Sequence, residues 1–452
     1  MVTIPPSRSP IKPLLALSLL WLAIGTQASA GSGDPWADLP AQVDTLLPGV
    51  IELRHAIHRH PELGNREFKT AERIARRLRE LGFEVQTGVA HTGVVGVLKG
   101  GQPGPVVAIR AELDALPLTE QTGLAYASTL RAKDEGNDLR SRGKDVGVMH
   151  ACGHDAHMAM AIGVAEVLAA HRDALPGTLK LIFQPAEEGP PLGEQGGAAL
   201  MIKQGVLQAP APEVIFGIHV TAGTAGTFTL SKARTTASAD TFVARITGRQ
   251  THAAFPWTGI DPVPVAAQII LAWQTIPSRQ SNLSVLPAPV ISVGRLEGGD
   301  RHNIIPAEIR LEGSIRTVSD EQREDVLKRM SNTAQSIAQA SGATATVEYL
   351  PGGYRSGYND TALAERMLPV LQQVSGTPVK IDNGTYGADD FAEYARQIPG
   401  LFMRMGVTPP ALQDKPVWPT HSPGFQVDDP SLATGIKALS LMTLRYMRGE
   451  GQ

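Results

Sequence analysis

Three histidines, an aspartate and the only cysteine of the chain fall within Met149-His150-Ala151-Cys152-Gly153-His154-Asp155-Ala156-His157. Cys152 and His154, two residues apart, can reach one metal ion from an extended turn. The alanine-rich run from Ala159 to His171 has helical character, so the pair sits where a loop enters a helix. There the helix dipole and free N–H groups favour a thiolate over a thiol. Thiolate, imidazole and carboxylate are the usual ligands of zinc-class ions. A lone cysteine is often only a buried structural residue, with the histidines in support; the crowding of ligand types favours a metal site instead.

Three apolar runs stop at further residues of the same kind. The strand-like Pro105 to Pro117 carries acidic residues at its end, among them Asp114. The run Leu179 to Pro185 delivers Glu187-Glu188, and Val214 to Ile218 delivers His219. In open α/β sheets, sites form at the carboxyl ends of strands, so these residues and the Cys-x-His loop are expected along one sheet edge. Asp114 could accept the N–H of a metal-bound imidazole or cap the next turn. Adjacent glutamates on an extended segment point apart, so one can bind metal while the other faces a reacting water.

The elements around them predict an α/β protein. Apolar residues from Leu46 to Arg59 recur with helical period, and His55, His58 and His60 at the end of that helix read as exposed or supporting residues, not ligands. A second helix spans Arg66 to Leu81 with Gly82 as its stop. Between 232 and 350 the pattern changes to a self-contained β-α-β-β-α-β order: strands at Ala239–Gly248, Pro289–Glu297, Glu308–Thr317 and Thr344–Leu350, with helices at Asp261–Ile276 and Ser319–Ser341. Ser319 and Gln322 have the spacing of a capping box. We therefore expect a catalytic domain of residues 31–231 and 351–452, interrupted by a ferredoxin-like domain at 232–350. In the second part, Gly387-Ala388-Asp389-Asp390-Phe391 precedes a helix, His421 follows Pro419-Thr420, and a last helix starts near Asp429.

Charged residues are 19%, hydrophobic ones 42%, and the net charge is −3. That balance is ordinary for a globular protein and gives no reason to expect nucleic acid or an anionic membrane as partner. Residues 1–30 read as an export signal: Arg8 and Lys12, then the apolar Leu14 to Gly25, then Ala28-Ser29-Ala30 as a cleavage site. An uncleaved anchor is the alternative; a cleaved chain is expected in the periplasm or secreted, and not in a membrane. One cysteine permits no disulfide framework.

These stretches resemble, in order, those of the metallo-amidohydrolases that include aminoacylases, carboxypeptidase G, hippurate hydrolases and plant auxin-conjugate hydrolases. The likeness is carried by Arg110 to Pro117, His150 to His157, Gln184 to Gly189, His219-Val220, Gly248 to Pro256, Asn303 to Pro306, Gly387 to Phe391 and His421-Ser422-Pro423. It is strongest to the hippurate and auxin-conjugate branch. The resemblance implies a mixed-sheet catalytic domain with two divalent ions and an inserted lid that also dimerises. Cys152 would bridge the ions, with His154, Glu188, His219 and His421 completing the ligand set. Glu187 would be the general base and Asp114 the orienting residue. His252 would stabilise the oxyanion in a neighbouring subunit's site, and Asn303 would help hold the substrate's carboxylate end. A thiolate bridge suits zinc first, manganese or cobalt second. The substrate would be a small N-acyl amino acid or peptide-like conjugate, cut by a metal-activated water. A dipeptidase or carboxypeptidase on the same site, or a non-catalytic binding protein of the same fold, are the rival readings. Two departures, Gly248-Arg249-Gln250-Thr251 before the lid histidine and Trp257 where a histidine is common, fall near the expected substrate pocket and leave the specificity open. No Gly-x-Ser-x-Gly elbow argues for a serine hydrolase.

Overall fold

Helices α1 (Leu39–His58) and α2 (Phe68–Glu80) lead into strands β1 (Glu84–Val89), β2 (Gly93–Lys99) and β3 (Gln102–Glu112). An antiparallel pair, β4 (Arg131–Lys133) and β5 (Asp145–Gly147), precedes α3 (His154–Ala170), β6 (Pro176–Gln184), α4 (Gly197–Lys203), β7 (Val214–Thr224) and β8 (Phe228–Ser231). Next come β9 (Asp240–Thr247), the two-residue β10 (Thr251–His252), α5 (Pro262–Trp273), β11 (Val290–Glu297), β12 (Ile304–Ile305), β13 (Glu308–Arg316), α6 (Asp320–Ala340) and β14 (Thr344–Tyr349). The chain ends through α7 (Thr361–Ser375), β15 (Lys380–Asp382), α8 (Phe391–Ala395), β16 (Gly400–Thr408) and α9 (Leu432–Met447). This computed structural model describes residues 1–3, 34–136, 141–282, 284, 287–350 and 352–451. The expected export signal, apart from its first three residues, lies outside the described residues.

Eight strands form one mixed sheet in the order β1-β2-β6-β3-β7-β16-β8-β15. Its centre, β6-β3-β7-β16, is parallel, and antiparallel pairs flank it. Burial on both faces explains why these central strands read as continuous apolar runs. Helices α1, α3 and α9 pack together on one side, while α4 and α8 cover Val95, Ala108, Ile182, Ile215 and Phe402 on the other. Helix α3 is buried almost all round, which is why its sequence lacks a polar stripe. The chain passes from β3 through α3 to β6 on one side and reaches β7 on the other. The strand order thus reverses at the carboxyl end of β3, where ligands commonly bind in such sheets.

A second, antiparallel sheet has the order β11-β13-β9-β14. Helices α5 and α6 pack on one face of it around Phe242, Ile246, Trp273, Leu311 and Met330. The cap of α6 forms as its sequence suggests: Ser319 Oγ accepts from Gln322 N at 3.1 Å. The return bond differs by one residue, since Gln322 Oε1 accepts from Val318 N at 2.9 Å. Asp38–Gln452 form one compact unit and Met1–Ala37 another. Among the described residues, no helix is long and apolar enough to cross a membrane.

Some element limits differ from expectation. Helix α1 begins at Leu39, well before Leu46, and contains Pro48. Strand β7 does not stop before His219 but runs on to Thr224, because β16 pairs beside it as far as Thr408.

Candidate metal centre

Cys152 and His154 flank Gly153, the residue that opens α3. Gly153 has φ +88°, and a Cβ there would lie 2.3 Å from Val220 Cγ2. Glycine alone satisfies both demands, and the tight turn brings the thiol and the imidazole into one space. Ala186 and His421 also hold left-handed backbone, with φ 51° and 62°. Strain of this kind collects at functional sites, where the surroundings enforce it.

The donors converge in two triads. Cys152 Sγ lies 3.3 Å from His219 Nε2 and 3.2 Å from His421 Nε2. The ligand atoms of Cys152, His154 and His219 lie within 4.8 Å of one another, as do those of Cys152, Glu188 and His421. The sulfur belongs to both sets. Two imidazoles are fixed from behind: His154 Nδ1 donates to the Asp114 main-chain oxygen at 2.8 Å, and His219 Nδ1 to the Val220 oxygen at 2.7 Å. Each thus directs Nε2 at the cluster, where its lone pair would serve a bound cation. Asp114 meets His154 chiefly through its backbone; its carboxylate Oδ1 stands further off, at 3.3 Å, and Oδ2 accepts from Glu188 N at 2.8 Å.

The residues fit divalent ions. His154 Nε2 is buried with no hydrogen-bond partner. Glu188 Oε1 also lacks one, although His421 Nε2 is only 2.9 Å away. A buried donor or acceptor left open is costly unless a cation fills the gap. Three imidazoles, a thiolate and a carboxylate are a set that zinc-class ions accept.

Glu112, His157 and Asp389 also come within ligand distance of the cluster; the Glu112 and His157 atoms are engaged, while Asp389 Oδ2 is buried without a hydrogen-bond partner. Glu112 binds Arg110 and, at 2.7 Å, His157 Nδ1; His157 Nε2 accepts from Val220 N at 2.8 Å. Arg110 Nη2 reaches Asp389 at 3.0 Å and Asp390 at 2.8 Å. This buried ion network underlies β7 beside His219, and sequence reasoning gave none of these residues a role. The available signal was Arg110 and Glu112 in the interior of an apolar strand, a placement that demands partners. His58 likewise binds Asp155 at 2.9 Å and is buried, a supporting position and not an exposed one.

His252 and Asn303 lie together, on and beside a two-stranded pair separate from the two sheets described above. Strand β10 pairs with β12, and Ala253 N donates to Asn303 O at 3.0 Å. His252 is exposed; its Nδ1 accepts from Ala254 N at 3.0 Å, which leaves Nε2 as the outward donor. Among the described residues, no hydrogen bond joins His252 to the Cys152 cluster.

Burial, together with Glu188 and Glu187, pushes the Cys152 thiol well above its usual range. This departs from the expected thiolate: without a cation, desolvation and two carboxylates outweigh the helix terminus. Burial disfavours the charged form of His154, yet Asp114, Glu112 and Glu188 raise it to about 10. Burial, with His157, lowers His219 to about 3. Glu187 is pushed well up by burial, Asp389, Glu188 and Asp390. For Glu188 burial works upward, but His421 and His154 hold the carboxyl below its usual range. Because the surroundings favour the protonated forms of Cys152 and His154 and a cation needs the deprotonated ones, zinc loading should release at least one proton and tighten as pH rises. Calorimetry in buffers of different ionisation heat measures this; loading with no proton release would remove Cys152 from the ligand set.

A sheet edge that carries two candidate ligand triads sharing one thiol, with a further glutamate beside them, is the arrangement of a metal-dependent hydrolase. Residues 108–445 match the model of Peptidase family M20/M25/M40, and the chain belongs to that family. It is 33% identical to thermostable carboxypeptidase 1 of Saccharolobus solfataricus over 88% of this chain and 95% of that one. It is 32% identical to IAA-amino acid hydrolase ILR1-like 2 of Arabidopsis thaliana over 96% and 95%. The crystal structure of the Bacillus subtilis YXEP protein, a dinuclear metal binding peptidase from the M20 family, superposes with a TM-score of 0.72 at 31% identity, covering 90% of this chain and 99% of that one. Near-equal identity to a carboxypeptidase and to an amino acid conjugate hydrolase singles out no one branch.

Proposed function

We propose that this metal-dependent amidohydrolase cleaves the amide bond of N-acyl amino acids or small peptide-like conjugates, within the hippurate and auxin-conjugate hydrolase branch. The observation that carries the reading is the thiol shared by two triads with Glu187 alongside. His154 Nε2 and Glu187 Oε2 are 3.8 Å apart, so the base lies at the rim of the ligand set. In our assignment Cys152 bridges, His154 and His219 complete one shell, and Glu188 and His421 the other. Ions held there, zinc first and manganese or cobalt second, would polarise the scissile carbonyl and lower the pKa of a water. Glu187 holds the proton taken from that water and returns it to the leaving amine. Asp114 keeps His154 in the tautomer that offers Nε2. His252 Nε2–H, reaching from the insert of a second subunit, supports the oxyanion, and Asn303 helps hold the substrate's carboxylate end.

On this reading residues 232–350 are a ferredoxin-like lid and dimerisation domain, set between 31–231 and 351–452. The test is a panel of N-acyl amino acids and dipeptides given to the metal-loaded protein, with chelated protein as control. Chelator-sensitive turnover of N-acyl amino acids is expected. Turnover of peptides alone would favour the dipeptidase or carboxypeptidase reading, supported by the carboxypeptidase relative. No turnover of either would favour a binding protein.

We further propose export with cleavage after Ala30, on the basic start, short apolar run and Ala28-Ser29-Ala30. Mass spectrometry of the mature chain should find Gly31 first. An intact Met1, or retention in membranes after alkaline wash, would refute it.

A further inference from the structure

The tripeptide Ala186-Glu187-Glu188 is held by three side chains from different elements, one at the Ala186 N–H and two at opposite ends of the Glu187–Glu188 peptide. Ala186 N donates to Glu67 Oε1 at 2.9 Å, from the residue before α2. Glu188 N donates to Asp114 Oδ2 at 2.8 Å, from the end of β3. The Glu187 carbonyl accepts from the Tyr354 hydroxyl. Glu67 and Asp114 belong to the large sheet and its helices. Tyr354 does not: it lies on the segment by which the chain returns from the second sheet. There it exchanges both main-chain bonds with Ala239, on the outgoing segment, at 3.0 and 2.9 Å. Ser238, next to Ala239, is itself tied to the second sheet, donating from N to Thr317 O at 2.7 Å with its hydroxyl 2.6 Å from that of Thr317.

We infer that Tyr354 is a positioning residue that couples the setting of the insert to the placement of Glu187. The inference rests on the reading of Glu187 as general base. Any tilt of the paired segments 238–239 and 354 moves the phenol, and the phenol holds the carbonyl of the base's own residue. Glu67 fixes the Ala186 N–H and Asp114 the N–H of the Glu187–Glu188 peptide, so the Tyr354 hydroxyl is the second clamp on that same peptide, which without it is held at one end only. A misplacement near the reacting atoms costs turnover more than binding, because the contact matters in the transition state.

The test is Tyr354→Phe, with Tyr358→Phe as control. Tyr358 is on the same segment and donates its hydroxyl to Val318 O at 2.6 Å, away from Glu187. In the zinc-loaded protein, Tyr354→Phe should lower kcat by about ten- to a hundredfold with little change in KM. Zinc affinity by calorimetry should stay near wild type. Hydrogen exchange of the peptide covering 186–189 should quicken, and Tyr358→Phe should show neither effect. If Tyr354→Phe only lowers the melting temperature, or quickens exchange with kcat intact, the coupling is overturned. If it loses zinc, Tyr354 supports the ligand set and the inference also fails. Wild-type turnover by a Glu187→Gln variant would instead strike at the base assignment beneath it.

Discussion

Glu187→Gln should retain wild-type metal content and lose nearly all turnover, by about 10²–10⁴-fold or more in kcat. The amide keeps the size of the carboxylate and some of its hydrogen bonding, but it cannot hold a proton taken from water. Metal should be spared because Cys152, His154, His219, Glu188 and His421 supply both triads, although the Glu187 carboxylate also lies within ligand distance of His154 and Glu188. Glu188 Oε1 is the atom 2.9 Å from His421 Nε2, within the triad that includes Cys152. Glu187 lies next to Asp389 and Asp390, and its raised pKa reflects burial and those carboxylates. Elemental analysis beside single-turnover kinetics checks both halves. A variant that loses its metal would mean that Glu187 is a ligand, and the roles of the pair would have to be exchanged.

His252→Ala is expected to lower kcat by about 10²-fold or more with metal content unchanged, the usual loss for one oxyanion donor. Its exposure and its distance in sequence from every proposed ligand make this the stricter test. Within its own chain His252 bonds Ala254 and stacks obliquely near Phe255, with ring centroids 5.4 Å apart. A second subunit is therefore the site we assign it to, and complementation follows. Mixing His252→Ala with Glu187→Gln subunits, under conditions of exchange, creates heterodimers in which one site has an intact Glu187 and receives an intact His252. Activity should return to about half of a wild-type dimer's sites per heterodimer. Heterodimers that form without recovering activity would place His252 in its own subunit's site or outside catalysis.

The parts of the fold that could be read directly from the chain were those governed by local rules. Gly82 sits at φ +81° just past α2, where a helix stop was expected. Ser319 caps α6, and strands β9, β11, β13 and β14 fall within a residue or so of the apolar runs that announced them. Cys152, His154, Glu188 and His421 lie at or beyond a strand or helix end and meet His219, which lies inside β7. What escaped reading is what depends on pairing at a distance. Arg110 meets Asp389 and Asp390 across 279 and 280 positions of chain (389 − 110 and 390 − 110). No local spacing encodes that. The upward push on the Cys152 thiol was not legible for a similar reason: the helix terminus is visible in the sequence, but the burial and the two carboxylates on the loop after β6 that oppose it are not.

A sulfur that serves both triads also determines how the centre can fail. Two ions on separate donors could be lost one at a time. Here a single alkylation or oxidation at Cys152 would dismantle both shells together, whereas damage to His219 or Glu188 touches one. Repair has no shortcut within the chain either. There is no second cysteine to trap a sulfenic acid as a disulfide, so oxidation that begins at Sγ can run on to the irreversible sulfinic stage.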